Sequence, residues 1–202
     1  MYSGIEQVCE NAIAYSQKEF SIIEVARPAL RIIGNRLNCH FVFPKETTQM
    51  AIQCLQNADL IKDAFWVLSL IAKYDAQTIV NDVNFDILNT YILKEAQFPV
   101  KKEYSIFINN LSSIDSGKYW EYLLSKGVLT VMAELINPID TIMCTIVLTY
   151  IVNSLINYPT YKLQILNTNT HIIEDLSLHA KNTYISELCH QLSKILKSSK
   201  YL

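Results

Sequence analysis

The sequence predicts an all-α chain of stacked helical repeats, on three observations. Gly and Pro are scarce, at 4 and 5 of 202 residues, so the chain lacks the tight turns an all-β fold needs. Helical periodicity recurs along most of the chain, with breakers between the periodic segments. The long helices also superpose on one another at a spacing near 40 residues. Half of the residues are hydrophobic and 18% are charged, the composition of an ordered core.

The elements follow in order. VARPALRIIGNRLN (25–38) has an apolar side made of Val25, Leu30, Ile33 and Leu37. Pro28, Gly34 and Asn35 all lower its helix propensity. Pro28 is expected near the helix start, where a missing N–H costs little. Gly34 is expected to allow another chain close approach. NADLIKDAFWVLSLIAKYD (57–75) reads as a helix capped by Asn57. Pro99 precedes VKKEYSIFINNLSS (100–113), and YWEYLLSKG (119–127) stops at Gly127. Asn137-Pro138 introduces a helix over 139–157, closed by Pro159, and helices follow over 170–180 and 182–199.

Laid over one another, ALRIIGNRL, AFWVLSLIA, YSIFINNLS and CTIVLTYIVNSL align Asn35, Leu70, Asn110 and Asn153, spaced by 35, 40 and 43 residues. Four residues before these stand Arg31, Trp66, Ile106 and Thr149, and residues four apart share a helix face. Such periods fit armadillo or HEAT architecture, in which no unit buries its apolar face alone. The approximate repeats are 1–38, 39–75, 76–115, 116–158 and 159–202, all in one domain.

These segments carry a family resemblance. VARPALRIIGNRLN resembles the armadillo repeat of importin alpha in which Arg replaces the usual Trp and Asn follows four residues on. IKDAFWVLSLIA resembles the next repeat, and VKKEYSIFINNLSS, with its KKE, the one after. YWEYLLSKGVLTVMAELINPIDTIMCTIVLTYIVNSLIN is similar to the following segment, and the chain from about 160 to the final capping repeat. The resemblance spans nearly the whole chain and corresponds to the C-terminal half of such a receptor. It implies an all-α, right-handed superhelix of about five armadillo repeats.

In that family the third helices line a concave groove where Trp and Asn, four apart, hold an extended basic peptide. The Asn amide donates to and accepts from the peptide backbone. Neighbouring indoles make slots for Lys or Arg stems, and nearby acids read the cationic heads. Carried over, the resemblance implies a peptide site of Arg31, Asn35, Asp63, Trp66, Glu103, Ile106, Asn110 and Asn153. Asn35 and Asn110 would capture backbone, Trp66 would stack, and Asp63 and Glu103 would supply charge. Leu70 stands where Asn is expected and Ile106 where Trp is expected, so those two rungs are each half lost.

The partners so implied are nuclear-localisation peptides of cargo proteins, with an exportin at the C-terminal repeats and residence in cytoplasm and nucleus. Importin beta is not expected, because the basic N-terminal segment that recruits it is missing here. The alternative is an armadillo scaffold for protein contact that no longer reads basic peptides. Each has its bland counterpart: a solvated polar face for the Asn residues, core packing for Trp66, and pairing with a neighbouring repeat for Arg31.

Other chemistry is not expected. The net charge is −2 and no basic stripe is visible, which argues against nucleic acid. The apolar run 142–156 is shorter than the ~20 residues of a membrane span and contains Asn153. Five scattered cysteines (Cys9, Cys39, Cys54, Cys144, Cys189) point to a reduced, intracellular compartment. Cys39-His40 and Cys189-His190 place their side chains in different directions on a helix, and the histidines lack zinc spacing. With no phosphate loop and no GxSxG, the sequence implies a protein that is not an enzyme and uses no cofactor or metal.

Overall fold

The computed structural model describes residues 23–38, 45–166 and 170–198. Cys9, Cys39, His40, the chain before Ile23 and the tail from 199 lie outside the described residues, as does the Val25 side chain. Every regular element among the described residues is helical. None of these helices is long and apolar enough to cross a membrane. The chain divides into two compact units, 1–83 and 84–202.

The first unit holds α1 (Ile23–Asn38), α2 (Lys45–Cys54) and α3 (Ile61–Asp82). Both α1 and α2 pack on α3. The packing face of α1 is Ala26, Ala29, Leu30, Ile33 and Leu37, spaced at three and four residues and all buried. It packs on α3, whose own buried residues include Ala64, Phe65, Leu68 and Ile71. Each large apolar side chain so buried contributes about 1.5–3 kcal/mol.

Pro28 lies not at the start of α1 but in its second turn, where it offers no N–H to the Glu24 carbonyl. It stands on the exposed side, so its ring faces no packed neighbour. Asn57 does not cap α3 either. Its Oδ1 accepts the Asp59 N–H at 2.9 Å in a tight turn, and the helix begins at Ile61 without a side-chain cap. At the far end α3 runs on past Asp75, a non-helical residue at φ −144, ψ 43 that kinks it. Thr48 Oγ1 on α2 donates to the Asp75 carboxylate at 2.7 Å, and Gln49 donates to Asp82, so α2 is tied to the kink itself and to the segment beyond it.

The second unit contains α4 (Phe85–Lys94), α5 (Phe98–Ser112), α6 (Trp120–Ser125), α7 (Val128–Glu134), α8 (Thr141–Asn157), α9 (Leu163–Leu166), α10 (Thr170–His179) and α11 (Thr183–Lys197). Short 3₁₀ turns at Ile114–Gly117 and Pro159–Lys162 precede α6 and α9. Gly127 takes φ +73 between α6 and α7, the left-handed stop its position in the sequence implies. Asn182 accepts the Tyr184 and Ile185 N–H groups to start α11.

The helices of this unit repeat a pattern of two short helices and one long one: α6–α7–α8, then α9–α10–α11. Helix α8 packs against α5, α7 and α11, and buries Met143, Cys144, Val147, Leu148, Tyr150, Ile151 and Leu155. Two polar links hold the layers in register. Tyr104 OH donates to Asn89 Oδ1 at 2.6 Å, and Asn89 Nδ2 donates to the Lys126 carbonyl at 2.9 Å, joining α5, α4 and the end of α6. Trp120 stacks on Tyr150, with centroids 5.4 Å apart, and its Nε1 donates to Ser154 Oγ at 2.9 Å. Each link satisfies groups that would be expensive to bury alone.

Candidate functional site

The long third helices carry the residues singled out in the sequence. In the first, Arg31 and Asn35 lie one turn apart on the exposed side of α1. Arg31 Nε donates to Asp63 Oδ1 at 3.5 Å, and Arg27 Nε lies 3.5 Å from Asp63 Oδ2. Arg27 also donates through Nη2 to the Asp59 carbonyl at 2.6 Å. Arg31 thus pairs with the next repeat, one of the two roles open to it from the sequence. Asp63, the acid that would read a cationic head, has its side chain 15% exposed between two guanidiniums.

Trp66 is half-buried, and its indole lies against α1 at Gly34. A Cβ added to Gly34 would sit 2.6 Å from Cη2, 2.9 Å from Cε3 and nearer still to Cζ3 of that ring. The close approach that glycine permits here is therefore made by the chain's own tryptophan, not by another chain. Leu70, one turn on, is also half-buried and brings no polar atom.

In the second unit Glu103, Ile106 and Asn110 follow one another on α5 and are all half-buried. Asn153 on α8 is exposed, although its helix is the most apolar in the chain, so it is not a buried amide. The exposed and half-buried face of α8 is Ile142, Thr145, Thr149, Asn153 and Ile156, which carries no charge. Helices α5 and α8 are joined by Lys102, whose Nζ donates to Asp140 Oδ2 at 2.7 Å. Asp140 uses its other oxygen to cap α8, accepting the Met143 N–H at 2.8 Å. The Lys102 bond, then the backbone bonds, hold its carboxyl below the usual carboxylate range.

Arg27, Lys102 and Asp140 were not among the residues singled out. Arg27 had a signal, its i,i+4 spacing to Arg31. Lys102 and Asp140 are 38 residues apart, and nothing local in the sequence pairs them.

The thiols are packing groups. Burial pushes Cys54 and Cys144 up to about 11 and Cys189 up to about 12, so all three are protonated at neutral pH. Cys189 is buried while its neighbour His190 is exposed. Among the described residues no His, Cys, Asp or Glu cluster could hold a metal ion.

Comparison with solved structures places this architecture. The chain is similar to an engineered protein from a structural genomics consortium, with a TM-score of 0.69 and 15% identity over 94% of this chain and 79% of the other. It is also similar to a designed armadillo repeat protein in complex with the peptide (KR)4, with a TM-score of 0.65 and 18% identity over 88% of this chain and 77% of the other. No family model and no curated protein matches the chain. The fold is all-α and armadillo-like, as the repeat spacing and the resemblance led one to expect.

Proposed function

We propose that this chain is a peptide-binding armadillo module, an importin-alpha-like adaptor fragment. It binds a Lys/Arg-rich nuclear-localisation segment of a cargo protein, in nuclear protein import. The observation that carries the reading is the recurrence of one amide. Asn35, Asn110 and Asn153 occupy the same repeat position on three third helices, and each is exposed or half-buried rather than packed away. A primary amide can donate to one backbone group of an extended peptide and accept from the next, which holds a strand without reading its side chains. Trp66 adds a partly open ring for an alkyl stem, and Glu103 adds negative charge beside Ile106 and Asn110. That a designed protein of the same fold binds (KR)4 supports this chemistry for such helices. The adaptor acts by binding alone, moves between cytoplasm and nucleus, and meets an exportin at α10 and α11.

A second reading has one observation in its favour. Asp63 is already held by Arg27 and Arg31, which fits an armadillo scaffold that no longer reads basic peptides. Anisotropy of fluorescent (KR)4 at low and physiological salt separates the two. Binding that weakens about 2- to 10-fold in Asn110→Ala, the loss of roughly one net hydrogen bond, and again in Trp66→Ala, supports the adaptor. Absence of binding at low salt, or binding indifferent to both substitutions, sinks it in favour of the scaffold.

A further inference from the structure

Resting on that peptide-binding reading, we infer that the α1–α3 face selects an acidic side chain, so the segment this chain holds carries Asp or Glu beside its basic block. The argument is one of charge and geometry. Arg27 and Arg31 stand one turn apart on α1 and both reach the single carboxylate of Asp63, each at 3.5 Å. Two guanidiniums facing one carboxylate leave the cluster one positive charge in excess, and arginine does not lose its proton near neutral pH. The exposed Asp59 and Lys62 beside it cancel one another.

A Lys or Arg of a ligand would have to approach Asp63, 15% exposed, past the Arg31 side chain, 62% exposed. Like charge and restricted access both oppose it. A carboxylate meets the opposite situation. Arg31 engages Asp63 through Nε alone, and its terminal nitrogens have no other acceptor among the described residues. A guanidinium fork with unengaged donors is the group best matched to an incoming carboxylate. Asn35, one turn further along the same side of α1, lies within reach of the backbone on which that carboxylate would be carried.

The test uses the full chain and fluorescent peptides in which an eight-residue Lys/Arg block is extended by three Glu or three Gln, at either end in separate peptides. The expected result is that one Glu peptide binds about 3- to 10-fold tighter than its Gln counterpart. In Arg31→Gln, whose side chain is exposed and whose folding is checked by a thermal melt, the preference disappears. In Asp63→Asn it widens, because two arginines then face the ligand alone; a merely structural pairing would give weaker binding in both variants. Equal binding of Glu and Gln peptides, with the Asn110→Ala response intact, overturns the inference while leaving the peptide-binding reading in place. Failure of every peptide to bind overturns both.

Discussion

Gly34→Ala tests the most specific contact in the first unit. A new Cβ at this position falls 2.6 and 2.9 Å from two carbons of the Trp66 ring and closer to a third, whereas carbon atoms rest at about 3.5–4.0 Å. The ring must therefore retreat by roughly 1 Å. Overpacking of this kind costs about 1–3 kcal/mol. Against it stands the helix propensity of Ala over Gly, worth about 1 kcal/mol in a helix interior. The net expectation is a destabilisation of about 0–2 kcal/mol, too broad to decide anything alone. The double-mutant cycle is decisive because its sign changes. With Trp66→Ala the obstruction is gone, and Gly34→Ala should stabilise by about 0.5–1 kcal/mol through propensity alone. Urea denaturation of the wild type, both single variants and the double variant gives the coupling, expected at about 1–3 kcal/mol. If Gly34→Ala stabilises equally in both backgrounds, the indole does not rest on Gly34 and the geometry assigned to this face is wrong.

Two further outcomes are expected. Ser154→Ala removes the acceptor of the buried Trp120 Nε1–H and should destabilise the chain by about 1–3 kcal/mol, read by urea denaturation. An unchanged midpoint would mean that the indole finds another partner. Asp140→Asn keeps an oxygen for the Met143 N–H but loses the Lys102 ion pair. Because the folded pKa of Asp140 is lowered, its stabilisation is complete above the unfolded carboxylate range near 3.9 and fades as pH falls through the folded value. The stability gap between wild type and Asp140→Asn should thus be present at pH 7 and close as pH falls through the lowered folded pKa of Asp140. A gap unchanged by acid would show that the carboxylate charge plays no part.

The helices bounded by local breakers were the legible part of this sequence. Expected helices at 119–127, 170–180 and 182–199 correspond to Trp120–Ser125, Thr170–His179 and Thr183–Lys197, because Gly127 and Asn182 are local stop and start signals that need no tertiary context. Boundaries that depended on competition were not legible. Asn57 has the side chain of a cap, but its oxygen is taken by Asp59 N–H and the helix starts four residues later. The run of α3 beyond Asp75 is held through Thr48 and Gln49 of α2, partners far away in sequence. The identities of Trp66 and Asn110 could be found by aligning repeats, whereas the neighbour of each could not. The contact of Trp66 with Gly34, and of Asp63 with two arginines, depends on how far one third helix is offset from the next. Periodicity along a single helix does not encode that offset.

The same offset decides what the acids of these helices can do. In each unit a basic residue on one third helix reaches an acid at the start of the following one: Arg31 to Asp63 across 32 residues, Lys102 to Asp140 across 38. Asp63 stands in the first turn of α3 and Asp140 at the N-cap of α8, where the helix dipole favours negative charge. Partly exposed pairs of this kind contribute little each, about 0–1 kcal/mol. Their consequence for recognition is larger than for stability. An acid already paired inside the repeat stack presents no net negative charge to a ligand, and Asp63, one of the two acids implied by the family resemblance, is held in this way by Arg27 and Arg31. Asp63 should then contribute little to the selection of basic residues. Removing the paired carboxylate tests this directly: Asp63→Asn should leave (KR)4 binding nearly unchanged or weaken it slightly, through the two guanidiniums it unmasks. If Asp63→Asn instead weakens binding severalfold, the paired carboxylate still reads the ligand, and the charge assigned to this face is wrong.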